Sequence, residues 1–92
     1  MRIGIIGAGA IGVTLARHLS KRGHQVSIAN SRGPESLTAL AAELGARPAS
    51  VVDAAKAAEV VILAIPTKAV ADLPRGLFAG VPSSVVAIDI GN

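Results

Sequence analysis

The segment Gly7-Ala8-Gly9-Ala10-Ile11-Gly12 has the plainest chemical use in this chain. It follows the apolar run Arg2-Ile3-Gly4-Ile5-Ile6 and opens a helical pattern that runs to about Arg22. Between a strand and a helix, G-x-G-x-x-G is the dinucleotide-binding fingerprint. Gly7 permits the tight turn, Gly9 lets the backbone approach a pyrophosphate, and Gly12 lets the helix pack closely on the strand. The first-turn amides, from Ala10 and Ile11 onward, then face the anion together with the positive end of the helix dipole.

A second cluster follows at Ala29-Asn30-Ser31-Arg32. An acidic residue about 20 positions past the fingerprint holds the adenine ribose 2′-hydroxyl in NAD sites. Asn30 takes that place here, with Arg32 close behind. A carboxylate would repel a 2′-phosphate. An arginine binds one through paired charge-assisted hydrogen bonds, and the Ser31 hydroxyl can add another. The residues therefore favour NADP over NAD.

Ala64-Ile65-Pro66-Thr67 ends another strand-like run, where the switch-point rule places the pyrophosphate or nicotinamide half of a dinucleotide. Gly91-Asn92 reaches the same rim, and Asn92 could hydrogen-bond a carboxamide. Catalytic residues are not legible. Asp89 has no visible partner, Lys68 reads as solvated, and His18 and His24 have no metal-ligand spacing. There is no G-x-S-x-G nucleophile elbow.

These positions need a scaffold, and strand-like and helix-like segments alternate as in a doubly wound parallel α/β sheet of the Rossmann type. Ile11, Leu15 and Leu19 predict one apolar face on the first helix, with Gly23 ending it. Gln25 to Ala29 reads as the second strand. Gly33-Pro34 starts a helix carrying Leu37, Leu40, Ala41 and Leu44, closed by Gly45. Arg47 to Ala49 is a short third strand at best. Ser50-Val51-Val52-Asp53 has a capping signature that opens a helix to about Ala58. Val60 to Ile65 is a continuous apolar run, as in a strand buried on both faces. Thr67 caps a further helix with Val70 and Leu73, interrupted by Pro74 and Gly76, and Val85 to Ile90 is a final strand.

Composition bounds the alternatives. Ninety-two residues make a single small domain, and with 51% hydrophobic residues it has a core to pack. A domain this size buries roughly 60–65% of its unfolded surface. One Phe and no Trp or Tyr leave no stacking platform for single-stranded nucleic acid. The nine Lys and Arg give a net charge of +3 but are scattered, so no basic stripe marks a nucleic-acid face. The absence of cysteine excludes disulfides and thiolate sites and fits a cytoplasmic protein. The uncharged stretch from Ile3 to Ala16 imitates a secretory signal, but its glycines fall in the fingerprint register and its removal would cost the first strand. Elsewhere the longest apolar run is far short of the ~20 residues of a membrane span.

Together these segments resemble the N-terminal dinucleotide-binding domain of the coenzyme F-420-dependent NADP oxidoreductase family. The resemblance rests on Ile3-Gly4-Ile5-Ile6-Gly7-Ala8-Gly9-Ala10-Ile11-Gly12, on Ala29-Asn30-Ser31-Arg32-Gly33-Pro34-Glu35-Ser36-Leu37, and on Val60-Val61-Ile62-Leu63-Ala64-Ile65-Pro66. It spans essentially the whole chain. Pyrroline-5-carboxylate reductases and 6-phosphogluconate-type dehydrogenases look similar at lower specificity. The resemblance implies NADP(H) on the glycine loop and a 2′-phosphate held by Ser31 and Arg32. It also implies hydride exchange with a deazaflavin (coenzyme F-420) or a small imine or carbonyl acceptor. The family's fold continues past the equivalent of Asn92 into a region that completes the second site and the subunit contact, which this chain is expected to lack. The expected partners are thus a dinucleotide and a small acceptor, with neither nucleic acid nor membrane, and an unpaired sheet edge would favour homo-oligomers. The alternative is a non-catalytic dinucleotide-binding module, a cofactor sensor or docking subunit.

Overall fold

Ile3 and Ile5 on one side of the first strand, and Gly4 and Ile6 on the other, are all buried. A strand covered on both faces sits at the centre of a sheet with helices above and below. The computed structural model of the chain describes residues 1–30, 32–56, 58–65 and 84–87, the last for its backbone. In order these form β1 (Arg2–Ile6), α1 (Ala10–Lys21), β2 (Gln25–Ala29), a 3-10 turn (Pro34–Leu37) leading into α2 (Thr38–Leu44), β3 (Arg47–Pro48), α3 (Val51–Lys56), β4 (Val60–Leu63) and β5 (Ser84–Ala87). The five strands are parallel in the order β3-β2-β1-β4-β5. This is a Rossmann-like doubly wound α/β sheet, and its order reverses between β1 and β4.

One core lies between Ile3, Ile5, Val26 and Ile28 of the sheet and Ala16, Leu37, Ala41 and Leu44 of the α1 and α2 layer. The other lies between Ile6, Val61 and Leu63 and the α3 side, with Ala55 and Ala58. Each fully buried Ile or Val contributes about 1.5–3 kcal/mol. Both α1 and α2 end as their sequences predict. The His24 N–H donates to the Leu19 carbonyl at 3.2 Å, and the Ala46 N–H to that of Ala41 at 2.9 Å, each just after a glycine.

Three expectations need adjustment. Ile11 does not join the buried face of α1: it is 41% exposed, and the residues that meet the sheet are Gly12 and Ala16, with Leu15 and Leu19 half-buried beside them. Periodicity finds residues that share a face, but only the smallest side chains let α1 approach as closely as it does. Secondly, β4 stops at Leu63 rather than Ile65, although the Ala64 N–H still donates to the Ile6 carbonyl at 2.8 Å. Thirdly, α3 ends at Lys56, before the Ala58 expected from its pattern. The helix expected after Thr67 lies outside the described residues, as do positions 88–90 of the last strand.

The ends of the sheet are short. At one edge β3 is two residues, one of them Pro48, which has no N–H to offer a neighbouring chain. Among the described residues no helix is long and apolar enough to cross a membrane.

The α3 face shows what small residues achieve. A Cβ on Gly4 would collide with the backbone carbonyl of Ala54, so α3 lies directly against β1. Ser50 helps start that helix by accepting the Asp53 N–H at 3.1 Å. Gly4→Ala should therefore push α3 off the sheet and destabilise the fold by about 1–3 kcal/mol, the scale of overpacking. A denaturant melt showing no loss would contradict this packing.

Arg2 and Glu59 align β4 beside β1. The Glu59 N–H donates to the Arg2 carbonyl at 2.8 Å, and the Arg2 N–H to Glu59 Oε1 at 3.0 Å, with the guanidinium 4.0 Å away. The backbone hydrogen bond above all, and then the charges of Arg2 and the amino terminus, hold the Glu59 carboxyl below its ordinary pKa against an opposing desolvation. A lowered folded pKa stabilises above the unfolded value, and this stabilisation is lost as pH falls through the folded one. Glu59→Gln keeps the acceptor oxygen without the charge, so it should flatten the acid side of the stability–pH curve slightly. Melts between neutral pH and pH ~3 test this, the window being that of glutamate titration.

Candidate functional site

The carboxyl ends of β1, β2 and β4 are tied together at Gly7. Its N–H donates to the Ala29 carbonyl of β2 at 2.8 Å. On the other side the Ala64 carbonyl lies so close that a Cβ on Gly7 would strike it. Gly7 also has φ +121°, a conformation that side chains rarely adopt. Gly12, in the first turn of α1, packs against the Gly7 carbonyl, which a Cβ there would hit. Two of the three fingerprint glycines are thus demanded by the fold itself.

Gly9 is different. As the N-cap of α1 it has φ −79° and ψ −172°, open to any residue, and among the described residues a Cβ built on it meets nothing within 4 Å. Its carbonyl accepts the Val13 N–H at 2.9 Å, the first bond of the helix. The amides of Ala10, Ile11 and Gly12 precede any intrahelical acceptor, no side chain caps the turn, and it carries no acidic residue. The arrangement is an exposed, positively polarised cradle with space above Gly9. It fits an anionic group approached by backbone, such as a pyrophosphate.

Ala64 forms the floor. It is buried against Gly7 and within reach of Gly12, so its small size serves the packing beneath the cradle. Ile65 is half-buried at the rim. Pro66 and Asn92, both expected at this rim, lie outside the described residues, as does Ser31.

Past the end of β2, Asn30 is turned into its own loop. Its Oδ1 accepts the N–H groups of Arg32 and Gly33, each at 3.1 Å, and its Nδ2 donates to Ser36 Oγ at 3.1 Å. The Ser36 hydroxyl donates to the Gly33 carbonyl at 2.8 Å. The carboxamide expected to face a ribose is thus engaged within the loop, and the sequence reading overlooked Ser36. The signal was available, because an Asn followed by Gly and Ser suits a side-chain-closed turn. Arg32 is exposed, and among the described residues no carboxylate pairs with it, although Glu35 sits beside Gly33 on the same loop.

A cleft of about 350 Å³ opens at the other end of the sheet, between Arg2, His24, Gln25 and Arg47. It lies at the amino ends of the strands, away from the cradle, where the parallel sheet offers no helix N-terminus to an anion. Among the described residues no three metal-binding side chains converge.

The sheet order and the switch point define an α/β domain of the Rossmann class. Comparison with known proteins places it further. The family described as NADP oxidoreductase, coenzyme F420-dependent, matches residues 2–92, and the chain belongs to it. No curated protein shows significant similarity. Among solved structures, a Sinorhizobium meliloti protein is 42% identical, with TM-score 0.68 over 78% of this chain and 35% of that one. A protein from Arthrobacter sp. FB24, described as an F420-dependent NADP reductase, is 27% identical, with TM-score 0.77 over 97% of this chain and 44% of that one. A Myxococcus stipitatus imine reductase variant in complex with NAD+ is 26% identical, with TM-score 0.75 over 99% of this chain and 31% of that one. The chain thus spans less than half the length of each of these proteins.

Because nothing among the described residues requires glycine at position 9, Gly9→Val should leave the melting temperature near its original value. It should also weaken dinucleotide binding about a hundredfold or more, roughly 3 kcal/mol. A calorimetric titration in which the variant binds normally would remove the cradle as the site.

Proposed function

We propose that this chain binds NADP(H) in preference to NAD(H), as the dinucleotide half of a hydride-transfer oxidoreductase site. The observation that carries the reading is Gly9: a position that the described residues leave free, kept bare above a helix start with no side-chain cap among them. The pyrophosphate is assigned to the amides of Ala10, Ile11 and Gly12. The adenine ribose lies toward the loop after β2, where Ser31 and Arg32 are assigned to its 2′-phosphate. Arg32 supports the preference by its exposure and its lack of a carboxylate partner among the described residues. The nicotinamide half is assigned to the rim at Ala64 and Ile65, and from the sequence alone Pro66 and Asn92 are assigned to the same half.

When bound, NADPH supplies a hydride. The protein's part is to hold the donor carbon toward an acceptor and keep water away. For exchange with a second bound cofactor a conspicuous acid–base pair is not required, whereas an imine or carbonyl acceptor also takes up a proton. The acceptor class we propose is a deazaflavin of the coenzyme F-420 type, or else a small imine or carbonyl compound. The first follows the family to which the chain belongs, the second its likeness to an imine reductase.

Replacing Arg32 with Ala should weaken NADPH binding by roughly 1.5–3 kcal/mol, the scale of hydrogen bonds to a charged group. NADH binding should barely change. Paired fluorescence titrations with the two cofactors measure this, and equal losses for both would contradict the 2′-phosphate assignment.

A further inference from the structure

We infer that Asn30 and Ser36 are positioning residues for cofactor selectivity: they shape the loop that presents Arg32 and do not themselves touch the dinucleotide. This rests on the proposed NADP preference and adds to it the device that produces it.

Every polar atom of the Asn30 carboxamide that the loop can use is engaged. Oδ1 takes two backbone amides, those of Arg32 and Gly33, and Nδ2 reaches Ser36. Ser36 returns to the backbone at the Gly33 carbonyl. The result is a closed circuit across residues 30, 32, 33 and 36. Gly33 has φ +99° and ψ 164°, which a residue with a side chain rarely adopts, so the loop needs glycine just after Arg32. The Arg32 N–H is held by the circuit while its side chain is left exposed. An arginine on a loop already closed gives up less freedom when it clasps a phosphate than one on an open loop, so the circuit raises affinity without a contact of its own.

An uncharged amide also suits the task for a second reason. Aspartate at position 30 could accept the same two N–H groups, but it would bring a negative charge beneath the phosphate that Arg32 is assigned to hold. Asparagine closes the loop without that charge.

The test is direct titration of the purified protein with NADPH and NADH, for N30A, S36A, S36T, the N30A/S36A double variant and R32A. The readout is the ratio of the two affinities, which a general loss of folding would leave unchanged. N30A and S36A should each weaken NADPH binding by about three- to twentyfold, the span of one or two neutral hydrogen bonds. NADH binding should stay within about twofold, near the margin of surface substitutions. S36T keeps a hydroxyl and should retain the original ratio. The double variant should lose no more than the larger single loss, because the two residues act through one circuit. The inference is overturned if N30A leaves the ratio unchanged, if both cofactors weaken together, or if the two losses multiply, as separate phosphate contacts would. An R32A protein with an unchanged ratio overturns the NADP reading and this inference with it. A changed R32A ratio beside an unchanged N30A ratio overturns the inference alone.

Discussion

Everything in the described structure turns on how closely three backbones meet at Gly7. The β1 strand ends there hydrogen-bonded to β2 through Ala29, while the Ala64 carbonyl after β4 and the first turn of α1 press in from other sides. The approach of Ala64 does not survive a side chain on Gly7, nor that of α1 a side chain on Gly12. Protein interiors do not deform gradually, so a methyl group at such a point must move a whole element. The junction therefore fixes where α1 starts and which way its first amides point, and that direction is the basis of the site.

The same economy of size runs through the rest of the domain. The residues of the two cores are aliphatic, and the helix positions that touch the sheet are mostly glycine or alanine: Gly12 and Ala16 in α1, Ala41 in α2, Ala54 and Ala55 in α3. Helices with such short side chains sit near the sheet, and a six-residue helix such as α3 covers its share of the core only by doing so. Larger residues such as Leu37 and Leu44 fill the wider space under α2. Close packing beneath the cradle also keeps it stiff, which suits a site that works by holding a ligand in one orientation.

Electrostatics divides the site into two parts of different origin. At α1 the attraction for an anion is collective, coming from backbone amides and the helix dipole without any charged side chain. At the loop after β2 it comes from Arg32, whose backbone N–H is held by Asn30 while its side chain is exposed. The first part would suit any dinucleotide, whereas in the proposed reading the second distinguishes one dinucleotide from another. The two are joined by the Gly7–Ala29 hydrogen bond, which sets the end of β2 beside the glycine turn.

The sequence by itself determined the kinds of element and their succession. The second strand falls at Gln25–Ala29 as predicted, α1 ends within a residue of the predicted limit, and the glycine turn lies where the fingerprint places it. These features depend on neighbours a few positions apart: the period of apolar residues, the turn chemistry of glycine, the capping hydroxyl of Ser50. Only the tertiary structure decided that Ile11 faces outward, that Gly7 is pressed against the Ala64 carbonyl and Gly12 against that of Gly7, and that the Asn30 carboxamide belongs to its own loop. Likewise it decided that Gly4 exists to admit Ala54. Periodicity states which residues share a face, but not how near that face comes to another element. Such closeness is set between segments far apart in the chain, Gly7 with Ala64 above all.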